Sequence, residues 1–89
     1  MTVTFDLKFV KDISLLPEYI HESFAEVYKL CEECQSVREI HNCEKMKGNK
    51  NLYRIRIGDY RATFKLKDVN SIVFRRFLSR GQVYKKHVN

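Results

Sequence analysis

The chain has 89 residues, a net charge of +6 and a hydrophobic fraction of 44%, with six phenylalanines and five tyrosines. A chain of this length is expected to form a single domain, residues 1–89, which excludes two separate cores. Its aromatic content excludes a disordered chain. Charge is uneven, because residues 1–44 carry a net charge of −5 and residues 45–89 a net charge of +11. This asymmetry favours contact with nucleic acid or, failing that, with an acidic protein or a membrane surface.

Apolar residues are dispersed along the chain, and no run approaches the roughly 20 residues of a membrane span. The first nine residues, MTVTFDLKF, alternate where a signal peptide would be continuously apolar. We therefore expect a cytoplasmic protein that does not insert into a membrane. Three cysteines, an odd number in a reducing compartment, do not form a disulfide framework.

The acidic half of the chain is predicted to form one strand followed by two helices. A first, half-buried strand is indicated by apolar residues that alternate with polar ones, namely Val3, Phe5, Leu7 and Phe9. A short helix is expected from Val10 to Leu16, and Pro17 then favours the start of a second helix. The second helix is the longer one and is expected to end near residues 35–36. Its apolar stripe has spacings of three and four and consists of Ile20, Phe24, Val27, Cys31 and Cys34.

The basic half of the chain is predicted to be a sheet built around a β-hairpin. Residues 37–44 are interpreted as an irregular link that leads into a short strand around residues 43–47. The hairpin has Gly58 and Asp59 as its two-residue loop, with glycine at the first central position. Apolar and basic residues alternate along both arms, so that one face is wholly apolar. That face is made of Tyr53, Ile55, Ile57, Tyr60, Ala62, Phe64 and Leu66.

The opposite face of the hairpin sets basic residues against each other. The predicted register places Arg56 across from Arg61, and Arg54 across from Thr63. Like charges directly opposite one another destabilise a hairpin. A polyanionic partner explains this arrangement better than folding does, although exposed arginines also occur simply as a solvated sheet face.

A last strand and a polar tail complete the predicted fold. After a turn at residues 68–71, the strand runs from Ile72 to about Leu78 and is expected to lie inside the sheet. Phe74 would share a face with Ile72, and Phe77 would share the other face with Val73. The tail, residues 80–89, is basic and polar, and its expected anchors are Val83 and Tyr84. The predicted architecture is α+β, with the amino-terminal strand and helical pair packed on a curved, mainly antiparallel sheet of about four strands.

Two stretches of the basic half resemble the RelE/ParE superfamily of bacterial toxins, and more narrowly the RelE-like ribosome-dependent mRNA endonucleases. They are KMKGNKNLYRIRIGDYRATFKL, with its basic Lys-Gly loop and Gly-x-Tyr-Arg strand start, and IVFRRFLSRGQVYKK. The resemblance implies the RelE/ParE fold and a type II toxin that cuts mRNA in the ribosomal A site and forms a hetero-oligomer with a cognate antitoxin. We expect this enzyme to need no metal and no other cofactor. The alternative is a non-catalytic, gyrase-directed inhibitor of the ParE kind, or a nucleic-acid-binding module on the same fold.

The resemblance also implies a set of catalytic residues. Arg54 and Arg56 occupy strand positions that are basic, often lysine, in RelE-type enzymes. Arg61 matches the arginine after the Gly-x-Tyr step, Arg80 the arginine beyond the last strand, and Tyr84 the tyrosine a few residues later. Two departures concern the proton acceptor. Arginine replaces lysine on the strand, and a serine precedes the final arginine where histidine or lysine is usual.

Metal-free cleavage of RNA needs a base for the 2′-hydroxyl proton, cations for the charge that builds up on the phosphate, and an acid for the 5′-oxygen. Arginine binds two phosphate oxygens and keeps its charge, so the four arginines are the expected cations. Tyr84 and His87 are the candidates for the base, and the resemblance favours Tyr84. The further residues expected to bind RNA are Lys45, Lys47, Lys50, Lys65 and His87.

The cysteines raise one rival interpretation, a metal site. Cys31, Cys34, His41 and Cys43 form a nominal Cys3His set of the kind that binds zinc. However, Cys31 and Cys34 also complete the apolar stripe of the second helix, and free cysteine is often buried. Packing therefore explains these residues without zinc, and no metal site is expected.

Overall fold

The structure is a computed structural model that describes the backbone of residues 1–86 and the side chains of residues 1–83. Two helices follow the first strand, four consecutive strands come next, and a third helix follows them, with a short 3-10 helix at Val37–Glu39 before the second strand. Their order and bounds are β1 (Thr2–Phe5), α1 (Leu7–Ser14), α2 (Glu18–Glu33), β2 (Cys43–Lys45), β3 (Leu52–Ile57), β4 (Tyr60–Asp68), β5 (Ser71–Ser79) and α3 (Arg80–Lys86).

The strands form one sheet in the order β1-β5-β4-β3-β2. β1 runs parallel to β5, and the other neighbouring strands are antiparallel. The predicted α+β architecture is confirmed, with a sheet of five strands where about four were expected. β5 has a neighbour on each side, as predicted from the apolar residues on both of its faces.

A cluster of phenylalanines joins α1 and α2 to one face of the sheet. The rings of Phe9 in α1 and Phe24 in α2 have centroids 5.0 Å apart. Both rings also contact Phe74 of β5, at 5.2 and 5.1 Å. Phe64 of β4 extends the cluster towards the middle of the sheet. Such aromatic pairs contribute about 0.5–1.5 kcal/mol each beyond the burial of their area, so this cluster is a main source of stability.

The predicted apolar stripe of α2 faces this core, but the helix is shorter than expected. Its buried residues are Ile20, Phe24 and Cys31. The helix ends at Glu33, so Cys34 lies just outside it, with an extended backbone. Pro17 is the N-cap residue, one position before the first turn in which it was expected, and its carbonyl accepts hydrogen bonds from the N–H groups of Ile20 and His21. None of the helices in the described part of the chain is long and apolar enough to cross a membrane.

The first strand is shorter than predicted, and the first helix begins earlier. β1 ends at Phe5 and α1 spans residues 7–14 rather than 10–16, so the prediction is wrong for Leu7 and Phe9. The carbonyl of Asp6 accepts hydrogen bonds from the N–H groups of Phe9 and of the residue after it, which starts the helix. Phe9 lies four residues before Ile13, the spacing of one helix face. Its sequence context therefore fits a strand and a helix equally well.

A bulge in β5 turns Phe77 towards the helices. Phe74 pairs with Phe64, but Arg76 pairs with Thr63, so β5 has one extra residue between these pairs. An extra residue reverses the alternation of side chains beyond it. Phe77 consequently packs on the phenylalanines of both helices. The prediction that Phe77 lies on the face opposite Phe74 is therefore wrong.

Asp12 connects α1 to β5 beyond the end of β1. β1 pairs with β5 only as far as Phe74. The Asp12 carboxylate accepts a hydrogen bond from the N–H of Phe77 at 2.9 Å, and two from the Arg76 guanidinium at 2.8 and 3.1 Å. The two side chains are largely buried, with exposed fractions of 16% for Asp12 and 20% for Arg76. The carboxylate thus takes the place of a strand partner for Phe77 and neutralises Arg76.

α3 packs on the sheet face opposite the other two helices. Val83 is buried with Leu78 and Met46, and Leu52 packs against them. Leu78 follows Phe77 in β5, and successive strand residues point to opposite faces. Val83 is therefore confirmed as an anchor of the tail, whereas the side chain of Tyr84 lies outside the described part.

Candidate active site

The β3–β4 hairpin has the register that its sequence predicts. Arg56 pairs with Arg61, and Arg54 pairs with Thr63. Gly58 has a φ of 58°, the left-handed conformation that the first loop position of this turn requires. The arginines of both strands therefore lie on one face of the sheet, opposite the apolar face that packs on α1 and α2.

A cavity of about 590 Å³ opens on this face, and four of the predicted catalytic residues line it. Arg54 and Arg56 come from β3, Arg61 from β4, and Arg80 from the first residue of α3. The N–H of Arg80 donates a hydrogen bond of 2.9 Å to the carbonyl of Asp59, which holds the start of α3 beside the hairpin loop. We call this space the arginine cavity. Its other lining residues are Asn42, Cys43, Glu44, Gly58 and Asp59.

Hydrogen-bond acceptors in the wall of the arginine cavity hold the strand arginines. Arg54 donates to the carboxylate of Glu44 at 3.0 Å, and Arg56 donates to the side-chain oxygen of Asn42 at 3.2 Å. Arg61 donates to two carbonyl oxygens of the hairpin, both at 2.9 Å. The two arginines that face each other, Arg56 and Arg61, thus each have hydrogen-bond acceptors within the protein. It is the convergence of four arginines on one cavity that points to an anionic ligand.

Asn42 and Glu44 are residues of the arginine cavity that the sequence interpretation did not identify. Glu44 pairs with Arg54 across the β2–β3 ladder, and the carbonyl of Asn42 accepts the N–H of Arg56 at 2.9 Å. Their separation by two residues is the sequence signal for a shared strand face. To use that signal one must know the β2–β3 register, and the irregular loop between the two strands prevents its prediction from the sequence.

The predicted RNA-binding lysines lie around the hairpin, and the described lining of the arginine cavity includes none of them. Lys47 and Lys50 are in the loop between β2 and β3, and Lys65 is on β4. Lys45 pairs with Tyr53, a residue of the apolar face, so Lys45 lies on the side of the sheet away from the arginines. These four side chains are exposed.

Two predicted residues belong to the carboxyl-terminal region. Tyr84 lies in α3, four residues after Arg80, and its side chain is outside the described part. His87 lies outside the described residues altogether. The structure therefore leaves the proton-transfer roles predicted for both residues as predictions.

The cysteines do not form the zinc site that was the rival interpretation. Across the described residues, no group of three or more histidine, cysteine or acidic side chains is arranged to hold a metal ion. Burial, with smaller contributions from Cys34 and Cys43, raises the pKa of the Cys31 thiol to about 12. Burial and then Glu44 raise the pKa of Cys43 to about 11. These surroundings favour the protonated thiols, whereas zinc binds thiolates.

Known proteins similar to this chain include archaeal RelE toxins. The chain is 34% identical over 85 residues to the toxin RelE3 of Methanocaldococcus jannaschii, an alignment that covers 94% of this chain and 96% of the relative. A chain of the RelB–RelE antitoxin–toxin complex from Methanococcus jannaschii has a similar structure, with a TM-score of 0.79, 31% identity, and coverage of 94% and 98%. A chain of the archaeal RelE–RelB complex from Pyrococcus horikoshii gives a TM-score of 0.73, 27% identity, and coverage of 91% and 96%. No protein-family model matches the chain.

Proposed function

Because the chain belongs to the RelE family of toxins, we propose that it is the toxin of a type II toxin–antitoxin pair and a ribosome-dependent, metal-independent mRNA endonuclease. In this proposal residues 1–89 act as one domain, in the cytoplasm, on mRNA in the ribosomal A site. The observation that carries the proposal is the convergence of four arginines on one cavity. A guanidinium keeps its charge at every working pH and binds two phosphate oxygens at once, so such a cavity suits a phosphodiester.

The arginines stabilise the charge that develops on the scissile phosphate. RNA supplies its own nucleophile, the 2′-oxygen, which attacks phosphorus while the bond to the 5′-oxygen breaks. The products are a 2′,3′-cyclic phosphate, or the 3′-phosphate formed from it, and a 5′-hydroxyl. Donors that are fixed in place before the reaction contribute most, and loss of one such donor typically slows a reaction by about 10²–10³-fold.

Proton transfer is assigned to the carboxyl-terminal region, because arginine does not give up its proton at working pH. Tyr84 follows Arg80 by four residues in α3, and positions four apart are adjacent on a helix. Tyr84 takes the 2′-hydroxyl proton in this proposal, since neighbouring positive charge would favour the phenolate form of a tyrosine in that role. His87 is the alternative acceptor.

The basic surface outside the arginine cavity is proposed to bind two partners, the RNA and a cognate antitoxin. Lys47, Lys50 and Lys65 are proposed to contact the RNA backbone, and Lys45 is proposed to contact RNA from the side of the sheet away from the arginine cavity. A cognate antitoxin would lay an acidic and apolar segment over the basic half of the chain, since complementary charge speeds association and orients the partners. The two archaeal relatives were each solved with RelB, which supports an antitoxin partner for this chain.

Primer extension on mRNA translated in the presence of the protein tests this function. We expect breaks at A-site codons with the wild-type protein, and none when ribosomes are left out. Arg61→Ala should remove the breaks. Lys67→Ala should keep them, because it removes one positive charge from an exposed position of β4 outside the described lining of the arginine cavity. Intact mRNA together with poisoned gyrase would instead establish the ParE-like alternative.

A further inference from the structure

Asn42 contacts Arg56 through both of its oxygen atoms. It precedes β2 and has a φ of 58°, a left-handed conformation that asparagine adopts more readily than most residues. Its backbone carbonyl accepts the N–H of Arg56 at 2.9 Å, and its Oδ1 accepts a hydrogen bond from Nη2 of Arg56 at 3.2 Å. A single residue therefore holds both the backbone and the tip of the Arg56 side chain.

Arg56 needs such a restraint because it lines two different cavities. Its side chain is exposed, and it faces Arg61 across the hairpin. Together with Asn42 it lines the arginine cavity and also a second cavity of about 270 Å³ between α2 and β3. Glu33 and Glu39 line that second cavity, and carboxylates attract a guanidinium. Glu44 and Asp59 line the arginine cavity, so an unrestrained Arg56 would have carboxylates within reach on both sides and would divide its time between the two cavities.

We infer that Asn42 is a positioning residue, which holds the Arg56 guanidinium at the arginine cavity where it meets the scissile phosphate. This inference rests on the proposed endonuclease function and names how one of its cations is fixed. In this inference Asn42 acts on the reaction through Arg56 and takes no part in the chemistry itself. Fixing the cation before the substrate arrives matters because small misplacements of a catalytic group are costly.

The left-handed backbone of Asn42 provides a matched pair of variants. Asn42→Gly keeps the backbone conformation and the carbonyl acceptor but removes the side-chain acceptor, whereas Asn42→Asp tolerates the conformation and keeps a side-chain acceptor. In single-turnover cleavage of mRNA on programmed ribosomes, Asn42→Gly should be slower by on the order of 10-fold, with ribosome affinity little changed. Asn42→Asp should stay within about threefold of the wild type. Circular dichroism melting of both variants controls for folding.

A double-mutant cycle separates positioning from a general structural role. If Asn42 acts only through Arg56, Asn42→Gly should have no further effect in an Arg56→Ala background. A slowdown by the same factor in both backgrounds, or an Asn42→Gly variant as fast as the wild type, overturns the inference. Failure of Asn42→Asp to recover the rate overturns it as well.

Binding of a 2′-O-methyl RNA trinucleotide gives a readout that does not depend on cleavage. The trinucleotide is held mainly by the arginine cavity, so Asn42→Gly should weaken its binding several-fold in the wild-type background and not in the Arg56→Ala background. A wild-type protein that binds the trinucleotide but cleaves no mRNA refutes the proposed function alone. Equal binding by the wild type and Asn42→Gly refutes the positioning role, whether or not the protein cleaves mRNA.

Discussion

Replacing Asp12 with alanine should destabilise the fold by about 3 kcal/mol, because the change leaves two groups without their acceptor. The N–H of Phe77 loses its 2.9 Å hydrogen bond, and the Arg76 guanidinium loses two more. Breaking a buried ion pair costs about 3–5 kcal/mol. The residual exposure of 16–20% in this pair places the expected value at the lower end of that range. Asp12→Asn keeps an acceptor for Phe77 and should cost roughly half as much.

Urea unfolding followed by circular dichroism measures this effect, since the chain contains no tryptophan. For a chain of this size, 3 kcal/mol corresponds to a melting temperature lower by roughly 15 °C. Asp6→Ala is the matched control, because Asp6 pairs with Arg75 at a site where both side chains are 44% exposed. An exposed pair contributes at most about 1 kcal/mol. If Asp12→Ala costs no more than Asp6→Ala, then the carboxylate does not substitute for a strand partner of β5.

Four further predictions concern the site, the partner and the core. Arg61→Ala and Arg80→Ala should each abolish growth arrest and leave the folded state intact by circular dichroism, and unfolding of both variants would show that these arginines are structural. Tyr84→Phe should slow single-turnover cleavage by roughly 10²-fold and His87→Gln far less, and the reverse order would identify the histidine as the base. Association with the antitoxin should weaken steeply as salt rises, because exposed charges are screened within about 10 Å at 0.1 M ionic strength, and a salt-independent affinity would rule out a charge-guided interface. Burial raises the pKa of Cys31 from 9.0 to about 12, so the unfolded state loses the thiol proton first and the stability contributed by this group is lost as pH rises above about 9. The free energy of unfolding should fall with a slope that reaches about 1.4 kcal/mol per pH unit. This fall should be smaller in Cys31→Ala when urea unfolding is compared at pH 8 and pH 10 under reducing conditions.

The hairpin was predictable from the sequence because the residues that determine it are close together in the chain. Alternation along two arms and a glycine at the loop determine the register together, and the observed pairing of Arg56 with Arg61 agrees with both. The bulge in β5 was not predictable in the same way. It depends on how Phe77 packs against two helices that are distant in sequence. The early start of α1 has a similar cause, since Phe9 fits a strand pattern until the helical core is considered.

The residues of the candidate site likewise differ in how far the sequence predicts them. Arg54, Arg56 and Arg61 could be grouped from alternation alone, and Arg80 was added only by resemblance to a family. The structure accounts for Arg80 through the hydrogen bond of its N–H to the hairpin loop. Asn42 could not be found from the sequence, because its role depends on a left-handed backbone conformation and on a register across an irregular loop.

The parallel pairing of β1 with β5 affects when this protein can fold during its own synthesis. The Thr4 hydroxyl donates a hydrogen bond to the carbonyl of Ile72, 68 residues further along the chain. Contacts of such high sequence separation form late. β1 and α1 leave the ribosome first, yet they have no strand to join until residues 71–79 have followed. The phenylalanine core that supports the hairpin is incomplete for the same period, because Phe74 and Phe77 belong to β5. The core that supports the arginine cavity therefore cannot form until the ribosome has translated β5.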